Sequence, residues 1–309
     1  MGDGGDDVRR AEYRALLRRT VDRLPERVRD PMLVAGRRLY VCPSRMPPGH
    51  YASPHVAEGT TVDETARTQV PGIDMRLPEQ RRLLEELVAA TGDAPTSVDL
   101  GPRYHAPNEM FGPADALGLR LMIGWLRPAR IVEIGSGYST AAMLDSLDRL
   151  GLEPQLTLVE PHPERLLAVL GANWRSRASL VRERLQDVDM EVFSSLEDRD
   201  LLFVDSSHVA KSGSDVNHLF FEVLPRLRPG VVVHIHDVFA WWDYPSAWVA
   251  ENRDWTEIYV LRAFLEFNDA FQVLLFPSLL LELDPEAFGD LRGTFEGDRG
   301  GSFWMQKTR

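Results

Sequence analysis

The chain holds a single cysteine, Cys42, among its 309 residues, so no disulfide can form within it and a reducing, cytoplasmic setting is expected. No uninterrupted apolar run approaches the ~20 residues needed to cross a bilayer. The first residues are rich in Gly and Asp and then charged, without the apolar stretch of a secretory leader. Basic charge is also short. Thirty-five Lys and Arg against 47 Asp and Glu give a net charge of -12, which disfavours long-range attraction to a nucleic-acid backbone or an anionic membrane. There is no internal repeat. These shortages leave a soluble globular protein, with room for a homo-oligomer; 44% hydrophobic residues suffice for a sizeable core.

Periodicity then sorts the chain. Tyr13, Leu16, Leu17, Val21 and Leu24 recur at helical spacing, predicting a short amphipathic helix after a disordered start over 1–7. From Pro43 to Ile73 the sequence is rich in Pro, Gly, Thr and His, the composition of a long ordered loop or an active-site cover. Pro78 opens a helix with Leu83, Leu84, Leu87 and Val88 on one face, ending near Thr91-Gly92, and a second runs from about Pro113 to Leu126. From Arg130 short apolar runs alternate with helical stretches, the mark of parallel strands joined by crossovers. The strands are Ile131–Gly135, Leu156–Glu160, Ser179–Arg184, Leu201–Asp205, Val231–His236, Gln272–Phe276 and Ser302–Gln306. Val216, Leu219, Phe220, Val223, Leu224 and Leu227 form the stripe of one further helix. The division expected is a helical N-terminal extension and cover over 1–110, followed by a seven-stranded Rossmann-like α/β domain over 111–309.

Ile131-Val132-Glu133-Ile134-Gly135-Ser136-Gly137-Tyr138-Ser139-Thr140 sets a glycine-rich turn between a buried strand and a helix. Without a Cβ, Gly135 and Gly137 let the backbone approach a ligand, and the helix start offers free N–H groups. Glu160, at the tip of the next strand, is placed to accept hydrogen bonds from ribose hydroxyls. A dinucleotide site is the competing reading, but Thr140 stands where the third glycine of G-x-G-x-x-G would fall. The combination of E-x-G-x-G with a second-strand acid resembles the class I S-adenosylmethionine-dependent methyltransferases. That resemblance implies S-adenosylmethionine as cofactor. It further implies that Glu133 orients the methionine amino end, that the turn from Gly135 through Ser136, Gly137, Tyr138 and Ser139 passes under the cofactor, that Glu160 holds the ribose and that Gln186 and Asp187 meet the adenine.

Ligands of open α/β sheets sit beyond the carboxyl ends of the strands. There the sequence reads Asp205-Ser206-Ser207-His208 and His234-Ile235-His236-Asp237, an unusual density of groups that are costly to bury unpaired. Three readings are open. Asp205, His236 and Asp237 coordinate a divalent ion, with Asp205 also facing the cofactor; or His208 or His236 acts as a general base oriented by an aspartate such as Asp237; or the cluster is a hydrogen-bond network that fixes loops. The segment is similar to the catechol and sugar O-methyltransferases, which carry metal-binding acids and amides at these strand ends. His236 stands where those enzymes usually have a carboxylate, which would shift preference from magnesium toward manganese, iron or zinc. His234, inside the strand, is expected to be structural.

The likeness to one branch of these methyltransferases runs on through Pro71-Gly72-Ile73-Asp74, Gly213-Ser214-Asp215, Tyr244-Pro245 and Phe267-Asn268. Trp241, Trp242, Tyr244, Trp248 and Trp255 divide between core and pocket wall. Tyr104, His105, Asn108, Glu109 and Phe111 are candidate cover residues; Glu257, Tyr259 and Arg262 are candidates that a solvated helix face would explain equally. The expected activity is methylation of a small-molecule acceptor, oxygen first. A different use of the sulfonium, by elimination or cyclisation, and a non-catalytic cofactor-binding protein are its rivals.

Overall fold

The computed structural model of the chain describes residues 49, 53–57, 59–90, 101–108, 110–170 and 174–309. The helix expected through Tyr13 and Leu24, Cys42, the beginning of the loop at Pro43, the helix end near Thr91-Gly92, and Glu109 lie outside the described residues. Two units divide the chain, Met1–Thr60 and Thr61–Arg309. In the first, the Gly49 N–H donates to the His55 carbonyl at 3.0 Å, closing a turn. The second contains the whole sheet.

Seven strands form one sheet: β1 (Arg130–Ile134), β2 (Gln155–Val159), β3 (Ala178–Val181), β4 (Leu201–Val204), β5 (Val232–Ile235), β6 (Phe271–Leu275) and β7 (Phe303–Lys307), in the order β3-β2-β1-β4-β5-β7-β6. The first five are parallel, and β7 runs antiparallel to both β5 and β6. Their sequences are nearly continuous runs of Val, Ile, Leu and Phe because both faces of the sheet are covered. In β1, Ile131 packs with the helices on one face and Val132 with those on the other.

The helices that position the site are α1 (Leu77–Ala90), α2 (Pro113–Leu126), α3 (Tyr138–Leu150), α4 (Glu164–Leu170) and α5 (Glu257–Leu265). Proline at its first position starts α2, and Arg127 in the left-handed region ends it. The helix expected after β4 begins at Asp215, capped by the Ser214 hydroxyl accepting from the Asn217 N–H at 3.2 Å. It widens into a π turn over Leu219–Val223. Its cause lies just beyond, because Pro225 offers no N–H and the Leu224 N–H reaches back five residues to the Leu219 carbonyl. The predicted apolar stripe of this helix is buried nonetheless.

Order reverses at β1 and β4, where the chain crosses from one side of the sheet to the other. That switch point lies between the glycine turn after β1 and the polar loop after β4, and crevices at such points take ligands.

Candidate active site

The glycine turn is built by close approach. Gly135 has a φ of +77°, and a Cβ there would stand 1.8 Å from the Asp205 carbonyl oxygen. Only glycine fits, so β1 and β4 end in backbone contact. Gly137 is less constrained: a Cβ would meet the flexible Arg165 side chain at 3.5 Å. Beneath the turn, Glu133 is fully buried and accepts hydrogen bonds from the Ser139 hydroxyl at 2.7 Å and the Thr140 hydroxyl at 2.6 Å. Thr140 in turn accepts from the Gly137 N–H at 3.0 Å. Burial raises the Glu133 pKa to about 7, against the two hydroxyl donors that lower it. Glu133 therefore ties down the first turn of α3 from below, whereas the resemblance implied a contact with the cofactor's amino end.

A cleft of ≈ 450 Å³ opens over the turn. Gly135, Ser136, Gly137, Tyr138 and Ser139 line it, as do Glu160, Gln186 and Asp205; Glu133 and Asp187 do not. Both Glu160 oxygens are engaged, one accepting from the Ser136 N–H at 3.1 Å and the other from the His162 N–H at 2.7 Å. Gln186 donates to the Gly213 carbonyl at 2.7 Å, leaving its side-chain oxygen buried without a partner. Asp187 is instead turned to Arg184, paired at 2.7 Å on the surface. Of the pair expected near the adenine, only Gln186 reaches the cleft.

At the other end of the cleft the polar residues converge. The register pairs Phe203 with His234 and Val204 with Ile235, so Asp205 and His236 leave adjacent strand ends together. Successive strand residues normally face opposite ways. A left-handed φ of +60° at Asp237 turns the chain, and its carboxylate stands 3.5 Å from the His236 Nδ1. Gly301 packs behind it, where a Cβ would lie 2.9 Å from the Asp237 Cα.

His208 also has a left-handed φ, +58°, which aims its carbonyl at the start of α5. There it accepts from the Thr256 and Glu257 N–H groups at 2.8 and 3.1 Å, satisfying free donors of the helix N-terminus. This contact brings Glu257, buried on the first turn, against the imidazole. His208 Nδ1–H donates to Glu257 at 2.9 Å, while Nε2 lies 3.3 Å from both Asp205 and Asp237. Burial disfavours the imidazolium, but the bonds to Asp205 and Glu257 and the charge of Asp237 outweigh it, raising the pKa to about 10. The expectation of a neutral general base at this position is therefore corrected. Three carboxylates hold His208 as a cation, and a cation cannot accept a proton.

His236 meets the same objection as a base. Burial again works against its charge, yet Asp237, Asp205 and Asp115 together carry its pKa well above the ordinary histidine value. For Asp205 burial raises the pKa, and His236 and His208 overcome it, holding the carboxylate far below its usual range. Among the described residues, the group whose donor atoms lie within 4.8 Å of one another is Asp205, His208 and Asp237. The sequence had placed His236 with the two acids and left His208 out. His236 Nδ1 stands at 3.6 Å from Asp205 and 3.5 Å from Asp237, too long for a good hydrogen bond. His234 is structural, stacked on Phe203 with ring centroids 4.0 Å apart and bonded to Ser302 at 2.9 Å.

Sequence reasoning missed Asp115 altogether and set Glu257 aside as equally a surface residue. Both are buried partners of the histidines. The available signal for Asp115 was a lone acid in the otherwise apolar start of α2. The walls of the cleft include Met110 and Phe111 on one side and Trp255 on the other. Asn108 shapes the first wall, its carbonyl accepting from the Phe111 N–H at 2.8 Å. Trp242 belongs to the core, against Phe276 and Phe303.

Residues 132–238, from β1 to just past β5, match a family described as a methyltransferase domain. An uncharacterized protein of Archaeoglobus fulgidus is 33% identical over 164 residues, which is 49% of this chain and 74% of that protein. Among solved structures, an SAH-bound methyltransferase of Podospora anserina is 17% identical, covering 74% of this chain and 88% of the other, with a TM-score of 0.41. The O-methyltransferase TomG from Streptomyces achromogenes, in complex with SAM, is 18% identical over 74% of this chain and 90% of the other, with a TM-score of 0.40. With its E-x-G-x-G turn at the switch point of a seven-stranded sheet, the chain belongs to the class I S-adenosylmethionine-dependent methyltransferases.

Proposed function

We propose that this enzyme methylates an oxygen of a small-molecule acceptor, with a divalent cation held by Asp205, His208 and Asp237. The observation that carries the reading is the double role of Asp205. Its backbone carbonyl touches Gly135 of the cofactor turn, and its side chain belongs to the carboxylate–histidine cluster. Methyl donor and acceptor are thereby brought to neighbouring places in one cleft.

The residues present suit both groups. For the cofactor, Gly135 to Ser139 form the floor, Glu160 lies at the ribose position, and the unpartnered Gln186 oxygen is an acceptor for an adenine amino group. For the cation, two carboxylates supply the opposite charge and His208 a ring nitrogen: with Glu257 taking the Nδ1–H, a bound cation would take the place of the Nε2 proton. A cation bound there would polarise an acceptor oxygen and lower its pKa, removing the need for a strong protein base. The chain's own contribution is positioning: Asp205 fixes the distance between the two sites, and Phe111 and Trp255 hold an acceptor between apolar walls. An acceptor with two adjacent oxygens, such as a vicinal diol or a hydroxy acid, fits a site of this kind.

Replacing Asp237 separates the two sites. Asp237→Ala should abolish Mn²⁺ binding and lower turnover by about a hundredfold or more, while calorimetry finds S-adenosylhomocysteine binding within about twofold of the parent. Unchanged turnover in this variant would remove the cation from the reading.

A further inference from the structure

The loop that carries His208 is fastened to one helical turn. The His208 carbonyl accepts from the Thr256 and Glu257 N–H groups at the start of α5, and the Ala210 N–H donates to the Thr256 hydroxyl at 2.7 Å. The Glu257 carboxylate accepts from His208 Nδ1–H at 2.9 Å and from the Ser206 hydroxyl at 3.1 Å. A threonine just before a helix ordinarily caps it, its hydroxyl accepting from the second or third N–H. Thr256 does not, because that oxygen is turned to Ala210. The Ile258 N–H, second in the helix, is left without its usual acceptor.

Tyr244 supplies one. The Ile258 N–H donates to the Tyr244 hydroxyl at 3.1 Å, and both residues are buried. The Tyr244 ring meets Phe239, Trp255 and Tyr259 edge to face, at centroid distances of 6.5, 5.7 and 6.0 Å. A phenylalanine would fill that space equally well, so packing accounts for the ring and not for the hydroxyl. Burial, with the charges of Glu257 and Asp237, pushes the Tyr244 pKa up against the opposing bond from Ile258, and the phenol stays neutral. An uncharged acceptor suits the place, since a carboxylate there would be repelled by Glu257 and Asp237.

We infer that Tyr244 is a positioning residue of the reaction centre, holding the first turn of α5 where Glu257 reaches His208. The backbone from which the Glu257 carboxylate projects is pinned on both sides, by the His208 carbonyl at its own N–H and by Tyr244 at the next. The segments that leave β4 and β5 are thereby joined, since His208 follows one and Tyr244 the other, and they meet on the same helical turn. The role rests on the cation reading above for what His208 does, and not for how His208 is held.

The full chain is tested metal-free and with Mn²⁺. Tyr244→Phe keeps the ring and should melt within about 5 °C of the parent. In metal-free protein the nuclear magnetic resonance signal of His208 Nδ1–H, identified by its absence from Glu257→Ala, should move upfield in Tyr244→Phe and exchange with water at least about threefold faster. Calorimetry should find Mn²⁺ binding about three- to tenfold weaker, with S-adenosylhomocysteine within about twofold. In the Glu257→Ala background, adding Tyr244→Phe should leave Mn²⁺ affinity where it is, because the route runs through Glu257. Incorporation of 3-fluorotyrosine in place of Tyr244, a weaker acceptor of nearly the same shape, gives the same direction of change should Tyr244→Phe fold poorly. An Nδ1–H signal that stays in place, or losses of affinity that add in the double variant, would overturn the role and leave Tyr244 a packing residue. If the parent binds no Mn²⁺, the cation reading fails and the Nδ1–H signal alone decides Tyr244: the role stands if the signal moves and falls if it does not.

Discussion

Glu133 and His208 are two buried ionisable residues that burial treats in opposite ways. Glu133 has hydroxyl partners but no cation, so desolvation governs and its pKa rises to about 7. His208 has carboxylates on both ring nitrogens, so attraction governs and its pKa rises to about 10. Both shifts make the folded protein bind protons more tightly than the unfolded chain, and stability falls as pH increases. The windows differ. The unfolded chain releases the Glu133 proton near pH 4.5 and the folded protein near 7, so this contribution is lost between those values. That of His208 is complete below pH 6.5 and lost as pH rises through about 10. In metal-free protein, Glu133→Gln should flatten the melting-temperature profile only in the lower window and melt roughly 2–4 °C or more above the parent at pH 8. His208→Gln should flatten only the upper one. A His208→Gln profile parallel to the parent between pH 7 and 10 would contradict the assignment of a cationic histidine.

At the scale of elements, the site depends on how strands and helices end. β1 leads into Gly135 against Asp205, β5 leads on to a left-handed Asp237, and the loop before β7 packs Gly301 on Asp237. The approach to the antiparallel last strand thus supports the cluster although none of its residues lines the cleft. Gly301→Ala should displace Asp237, costing about 1–3 kcal/mol of stability and weakening divalent binding, with the cofactor end untouched. Denaturant melts and calorimetry would measure both; if the substitution changed neither, β7 would not brace the site. These supports explain what was legible in the sequence. The strands were readable because buried parallel strands are apolar runs of the right length, and the glycine turn because its spacing is local. Asp115 and Glu257 were not, because each lies on a helix far along the chain from the histidine it holds, and an acid on a helix ordinarily faces water. The same limit hid the protein partners of Glu133 and Asp187, whose side chains engage the start of α3 and Arg184.

For the whole molecule, the acidic balance of -12 disfavours long-range attraction to a nucleic-acid backbone. Among the described residues no helix is long and apolar enough to cross a membrane. The cleft joins the glycine turn at the end of β1 to a carboxylate–histidine cluster at the ends of β4 and β5. Methyl transfer assisted by a cation requires both halves at once. The most direct test is mass-spectrometric product analysis with methyl-labelled S-adenosylmethionine and a panel of vicinal diols and hydroxy acids, before and after exhaustive chelation and after Mn²⁺ is returned. The account predicts S-adenosylhomocysteine and a singly methylated acceptor in equal amounts, lost on chelation and recovered with Mn²⁺. Methylthioadenosine in place of S-adenosylhomocysteine, or undiminished methylation by the chelated protein, would contradict it.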